Sequence, residues 1–83
     1  MRIRIVKPER ILEDPRRILF RAEWDARSWS VVRELVGERS VMLNGFGQLV
    51  AQLGLSDRPD VVDRLREIFL TTSYDALPQE IEW

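Results

Sequence analysis

The segment Ser40-Val-Met-Leu-Asn-Gly-Phe-Gly-Gln-Leu-Val-Ala-Gln-Leu-Gly-Leu-Ser-Asp-Arg-Pro-Asp-Val-Val-Asp-Arg-Leu-Arg-Glu-Ile-Phe-Leu70 reads as two amphipathic helices joined by the tight turn Leu53-Gly54-Leu55-Ser56. Phe46, Leu49, Val50 and Leu53 recur at helical spacing, and Val61, Val62, Leu65, Ile68 and Phe69 do the same. The first helix is expected over 40–53, capped by Ser40 and closed by Gly54. Gly45 and Gly47 oppose it, each costing about 1 kcal/mol relative to alanine in a helix interior. A short strand over 40–43, a turn at Asn44-Gly45 and a helix from Phe46 is therefore a standing alternative. The second helix is expected to start just after Ser56 and to run to about Leu70. Ser56 is its expected cap, Pro59 sits in the first turn, and Asp57 and Asp60 lie at the positive end of the dipole.

Working outward, Arg2-Ile-Arg-Ile-Val6 alternates and reads as a strand, which Lys7-Pro8 is expected to end. Residues 9–15 are expected as a loop or one helical turn, with Ile11 and Leu12 tucked beneath. Arg17-Ile-Leu-Phe-Arg-Ala-Glu-Trp24 is the clearest strand, with Ile18, Phe20, Ala22 and Trp24 on one face. The two strands are expected to pair antiparallel. Trp29, Val32 and Val36 form a helical stripe over 26–36 behind Asp25, with Gly37 just past the end. A third strand over 29–35, after a turn at Asp25-Ala-Arg-Ser28, competes with that helix. The expected fold class is α+β: a short two-stranded antiparallel ribbon followed by three helices packed on one face. Residues 1–83 form a single domain, with 76–83 as an edge strand, a stretch crossing the helices, or a loose tail.

A chain of 83 residues buries only about two-thirds of the surface its unfolded form exposes, which leaves no room for a deep substrate cavity. A hydrophobic content of 45% with 33% charged residues is that of a folded globular chain rather than a disordered one. No apolar run approaches the roughly 20 residues that span a bilayer, and Met1-Arg-Ile-Arg-Ile-Val-Lys7 lacks the apolar core of a signal peptide. No membrane association and a cytoplasmic location are expected. The chain has no cysteine and no histidine. Disulfides and thiolate chemistry are thereby excluded, and the commonest general base and metal ligand is missing. No catalytic residue, metal or cofactor is assigned.

Charge is polarised. Residues 1–40 hold ten Lys/Arg against seven Asp/Glu, and residues 41–83 hold three against seven. On the two-strand ribbon, Arg2, Arg4, Arg17 and Arg21 share the face opposite Ile3, Ile5 and Phe20, where they could meet nucleic acid or an acidic protein surface. Asp60, Asp63 and Glu67 share one face of the last helix and could meet a basic partner. The plainer account pairs Asp60 with Arg64 and Asp63 with Arg66 along the helix, and Glu23 across the strands. Trp24 and Trp29 are expected in the core, while the terminal Trp83 is harder to bury and is a candidate partner contact.

Gln48-Leu-Val-Ala-Gln-Leu-Gly-Leu-Ser56 resembles the first helix and turn of helix-turn-helix regulators of bacteria and phage. The resemblance covers about a quarter of the chain and implies DNA binding by the following helix. The pattern departs at Asp60, where that family carries an apolar residue. Asp57, Asp60, Asp63 and Glu67 on the would-be reading helix repel phosphate. The function expected from the sequence is a small non-enzymatic protein-binding module: an inhibitor, an antitoxin-like regulator or an accessory subunit that covers a surface of a larger protein partner. The alternative is a nucleic-acid-binding regulator using the arginine face or a degenerate helix-turn-helix. A chain with so little core is also expected to associate, as a homodimer or with its partner.

Overall fold

The computed structural model describes residues 1–11, 14–73 and 78–83. Five strands and two helices follow in the order β1 (Arg2–Ile11), β2 (Asp14–Trp24), β3 (Arg27–Val36), β4 (Arg39–Asn44), α1 (Phe46–Gln52), α2 (Pro59–Thr71) and β5 (Gln79–Glu82). All neighbours pair antiparallel, in the spatial order β4-β3-β2-β1-β5. This overturns the expected two-stranded ribbon with three helices.

Three local readings account for the difference. Residues 27–36 form a strand in place of the helix expected over 26–36. The true alternation is Trp29, Val31, Arg33 against the core, with Ser30, Val32 and Glu34 on the other side. An arginine at a core position disguised the period of two. The competing turn-and-strand reading was the better one, with the strand beginning at Arg27. The turn before it, Asp25-Ala26, is a two-residue loop with φ of 48° and 63°, as the twist of a tight hairpin requires. Residues 40–44 are likewise a strand, and the helix starts at Phe46, so the strand–turn–helix alternative holds. At Lys7-Pro8 the strand does not stop. Its ladder to β2 shifts register between Val6 and Glu9 and resumes, so the proline is accommodated at an irregularity. The expected positions of Leu12 and of the Ile11 side chain lie outside the described residues.

The last helix ends within a residue of the expected place but starts two residues later, because Ser56 is not its cap. Arg58 occupies the N-cap and makes no side-chain capping bond, with Pro59 just inside. The Leu53-Gly54-Leu55 turn is a Schellman motif. The Leu55 N–H donates to Val50 O at 3.0 Å, the Gly54 N–H donates to Ala51 O at 3.2 Å, and Gly54 has φ +68°. Such a helix ending is general, so the turn that residues 48–56 share with helix-turn-helix proteins is one that many helix ends adopt.

Both helices cover the same side of the sheet. Ile3, Ile5, Phe20, Ala22, Trp29, Val31 and Ile81 from the strands meet Leu49, Leu53, Leu55, Val61, Leu65 and Phe69. Full burial of such a side chain contributes about 1.5–3 kcal/mol. Phe69 is the centre: Phe20 packs edge-on to it at 5.4 Å and Phe46 at 6.0 Å. The Trp29 Nε1–H donates to Gln52 Oε1 at 2.6 Å and fastens the end of α1 to β3. The Arg33 guanidinium lies under α2, 5.3 Å from the Phe20 ring, and donates to Phe69 O at 3.1 Å and Thr72 O at 2.6 Å. It thus satisfies carbonyls that a helix C-terminus leaves without partners. Residues 79–82 take the edge-strand form of the expected tail, paired to Arg2–Ile5 through Ile3↔Ile81, and Trp83 N–H donates to Met1 O at 2.9 Å.

Candidate functional site

The helices cover one face of the sheet only, and among the described residues nothing is layered on the other. The strand registers set what that open face shows. Leu19 and Val32 lie directly opposite each other on β2 and β3, both half-buried, while half-buried Val6 and Val41 lie diagonally beyond them, in register with Arg21 and Glu34. Around this apolar centre stand charged side chains.

Arg2, Arg4, Arg17 and Arg21 all lie on this face, as the sequence predicts, but carboxylates accompany them. Arg17 Nε donates to Glu34 Oε2 at 2.8 Å and lies 3.4 Å from Asp14. Arg21 is 3.7 Å from Glu9. Arg2 lies between Glu80 and Glu82, at 3.9 and 3.5 Å. Arg4 is in register with Glu23 on one side and Glu80 on the other. The hydrogen bond to Glu34, with its charge, raises the Arg17 pKa further above its already high ordinary value. The Arg16 backbone N–H, 3.0 Å from Asp14 Oδ1, is the chief cause holding that carboxyl below its usual range. The face is therefore a mosaic of both signs rather than a positive patch.

The other expected contact residues lie apart. Asp60, Asp63 and Glu67 are on the solvent side of α2, whose Val61, Leu65 and Phe69 are buried. Asp63 pairs with Arg66 at 2.8 Å, as expected. Asp60 pairs with Arg58 at 3.4 Å rather than with Arg64, and that bond lowers its pKa. Trp83 is half-buried against the core cluster, so much of its indole is already used within the chain. The acidic stripe, the arginine face and Trp83 do not converge on one site.

The sequence reading missed two features. One is Arg33: burial pushes its pKa down and no carboxylate pairs with it among the described residues, so its role is to hold α2. The other is the free edge of the sheet at β4. Residues 40–56 contain no charged side chain in a chain that is 33% charged, a signal readable from sequence alone. Leu35, Val36 and Leu43 of the β3–β4 hairpin are 45%, 52% and 46% exposed. With Met1 they are the large hydrophobic residues most open to solvent among the described ones, so exposed apolar surface is concentrated at this edge. Beside it is an open depression of about 530 Å³, lined by residues 42–48 and Arg66.

Among the described residues no group of three or more His, Cys, Asp or Glu side chains could hold a metal ion, and no helix is long and apolar enough to cross a membrane. No family model matches the chain, and no curated protein or solved structure matches it either.

Proposed function

We propose that the chain is a small non-enzymatic protein-binding module, of the kind that serves as an inhibitor, an antitoxin-like regulator or an accessory subunit, and that it acts by covering a surface of a larger protein. The observation that carries this reading is the open sheet face: an apolar centre at Leu19 and Val32, ringed by the Arg17–Glu34 and Arg21–Glu9 pairs. An apolar middle inside a polar rim is the usual anatomy of a protein–protein interface. The exposed ion pairs of the rim contribute little to folding, so their charges are free to set orientation and specificity toward a partner. The absence of histidine and cysteine from the sequence supports the non-enzymatic part.

Nucleic acid is the weaker reading. Phosphate binding needs a net positive surface. Here the four arginines share their face with Glu9, Glu23, Glu34, Glu80 and Glu82.

The test is comparative capture from the native host. The wild-type chain and a Leu19→Glu/Val32→Glu variant are immobilised, and any protein held by the wild type is purified and titrated against both. Affinity lost in the variant, with its melting temperature and circular dichroism retained, supports the reading. Equal affinity removes this face from any role. A mobility shift with duplex DNA or RNA that weakens steeply with salt would favour the alternative.

A further inference from the structure

The two edges of the sheet are treated differently. At one edge, β5 is four residues long and alternates Glu80, Ile81, Glu82. Two such strands pairing about Ile81 would set glutamate against glutamate. At the other, β4 offers Arg39-Ser-Val-Met-Leu-Asn44, with one charge at its very start. Proteins ordinarily guard an edge with charge, proline or brevity, because its unpaired N–H and C=O groups invite a further strand. At β4 that guard is missing, and the side chains around it are the exposed apolar ones.

We propose that β4 is the seam of a homodimer, in which two copies pair β4 with β4 antiparallel about a two-fold axis at Val41 and join two five-stranded sheets into one. The register follows from the hairpin. Gly37-Glu38 is a two-residue loop closed by the pair Val36↔Arg39. In such a loop the closing pair exchanges its backbone hydrogen bonds, and bonding direction alternates from there. Arg39 and Val41 therefore turn their backbone groups toward β3, and Ser40 and Met42 turn theirs outward. An antiparallel partner matches those outward groups when Ser40 of one copy faces Met42 of the other. That places Val41 opposite Val41 and Arg39 opposite Leu43, so no like charges meet at any pair.

The match is to the chain's own sequence, which makes a second copy the occupant that the edge fits. The seam also joins the open faces of the two copies, with the Val41 pair at the axis and Leu19 and Val32 of each copy lying diagonally from it. Its extent sets its strength. Six residues make an edge about 20 Å long, and at a width of about 10 Å it covers only about 200 Å² per copy, short of the roughly 800 Å² that each partner contributes to a standard interface. The dimer is accordingly reversible, and its population depends on concentration.

Sedimentation velocity of the purified chain over a dilution series tests this. The mass is expected to climb from 9.8 kDa toward twice that value as concentration rises through the micromolar range. Val41→Lys sets two ammonium groups together at the axis and Val41→Glu sets two carboxylates together. Each variant alone is expected to stay monomeric, and an equimolar mixture is expected to recover the dimer. Hydrogen exchange of the wild type needs no substitution. The Ser40 and Met42 amides are expected to slow severalfold in concentrated samples, while the Val41 amide, bonded toward β3, does not change. A wild type that stays at 9.8 kDa throughout, a folded Val41→Lys variant that still dimerises, a mixture that stays monomeric, or concentration-independent exchange at Ser40 and Met42 each overturns the proposal. None of these outcomes touches the Leu19/Val32 capture experiment, so the two surfaces fail or stand separately.

Discussion

Gly45→Ala and Gly47→Ala, two positions apart, are expected to move stability in opposite directions. Gly45 has φ +91° and ψ −25°, a conformation that costs a residue with a side chain about 1–3 kcal/mol. A Cβ there would stand 1.8 Å from Ser30 O, 2.9 Å from Ser30 C and 3.2 Å from Val31 Cα. All three atoms are backbone of β3 and cannot swing aside as a flexible side chain would. Opening that contact displaces the entry of α1 from the sheet, an overpacking cost of about 1–3 kcal/mol. The two effects together come to about 4 kcal/mol. Stability scaled to this length is only roughly 4–12 kcal/mol, so Gly45→Ala is expected to lower the melting temperature by about 15 °C or more. Gly47 lies in the first turn of α1, and an added Cβ would meet nothing within 4 Å. Alanine there is expected to stabilise by about 0.5–1 kcal/mol, through helix propensity and a less flexible unfolded chain. Thermal melts followed by circular dichroism, with urea titration for the free energies, decide the matter. If residues 40–53 formed one continuous helix, both substitutions would stabilise. A Gly45→Ala variant melting at or above the wild type would therefore refute the strand–turn–helix account of this segment.

Other outcomes follow from the same packing. Arg33→Ala removes two bonds to the end of α2 and empties a buried site, and is expected to cost about 3 kcal/mol; amide exchange near residues 68–72 should quicken more than elsewhere, and Arg33→Lys should recover only part of the loss because one ammonium cannot reproduce the fork. Ala26→Gly relieves a positive φ that costs alanine about 1 kcal/mol, less the greater flexibility of unfolded glycine. A net gain of about 0.5 kcal/mol, or 2–4 °C in a thermal melt, is expected. Asp14 and Asp60 have carboxyls held below the ordinary range near pH 4. A depressed folded-state pKa contributes stability that is present above the unfolded value and is lost as pH falls through the folded one. Melting temperature should fall as pH drops below about 4, and an Asp14→Asn/Asp60→Asn variant should show a flatter decline.

The parts of the fold that sequence made legible were those in which local preference and tertiary role agree. Residues 59–70 repeat with helical period, carry proline at the first position and bury that same stripe. Residues 17–24 alternate cleanly, and Phe20 and Ala22 do face the core. The failures came where one signal masked another. Arg33 occupies a core position because the carbonyls of Phe69 and Thr72 receive its guanidinium, and nothing in residues 26–36 announces a bond made 36 residues away. With that position read as solvent, Trp29, Val32 and Val36 look like a helix. The hairpin before it turns on Asp25-Ala26, without the glycine that usually marks such a loop. The arginine face was legible as a face, but its carboxylates were not, because Glu34, Glu80 and Glu82 come from strands the two-strand ribbon lacked. The uncharged run over 40–56 was visible throughout. Only the sheet order, which places residues 39–44 at an edge, gives it a meaning.

Residues 27–44 form an antiparallel hairpin paired beside β2, and proton–proton contacts in a two-dimensional NMR spectrum test that arrangement most directly. Pairs that do not exchange backbone hydrogen bonds bring their Cα atoms to about 4.5 Å. Strong Hα–Hα cross-peaks are expected between Arg21 and Ser30, between Glu23 and Ser28, and between Leu35 and Ser40. Sequential amide–amide contacts running through residues 27–36 in their place, with those three cross-peaks missing, would mean a helix there. The five-stranded sheet, its open face and the β4 edge would then all be wrong.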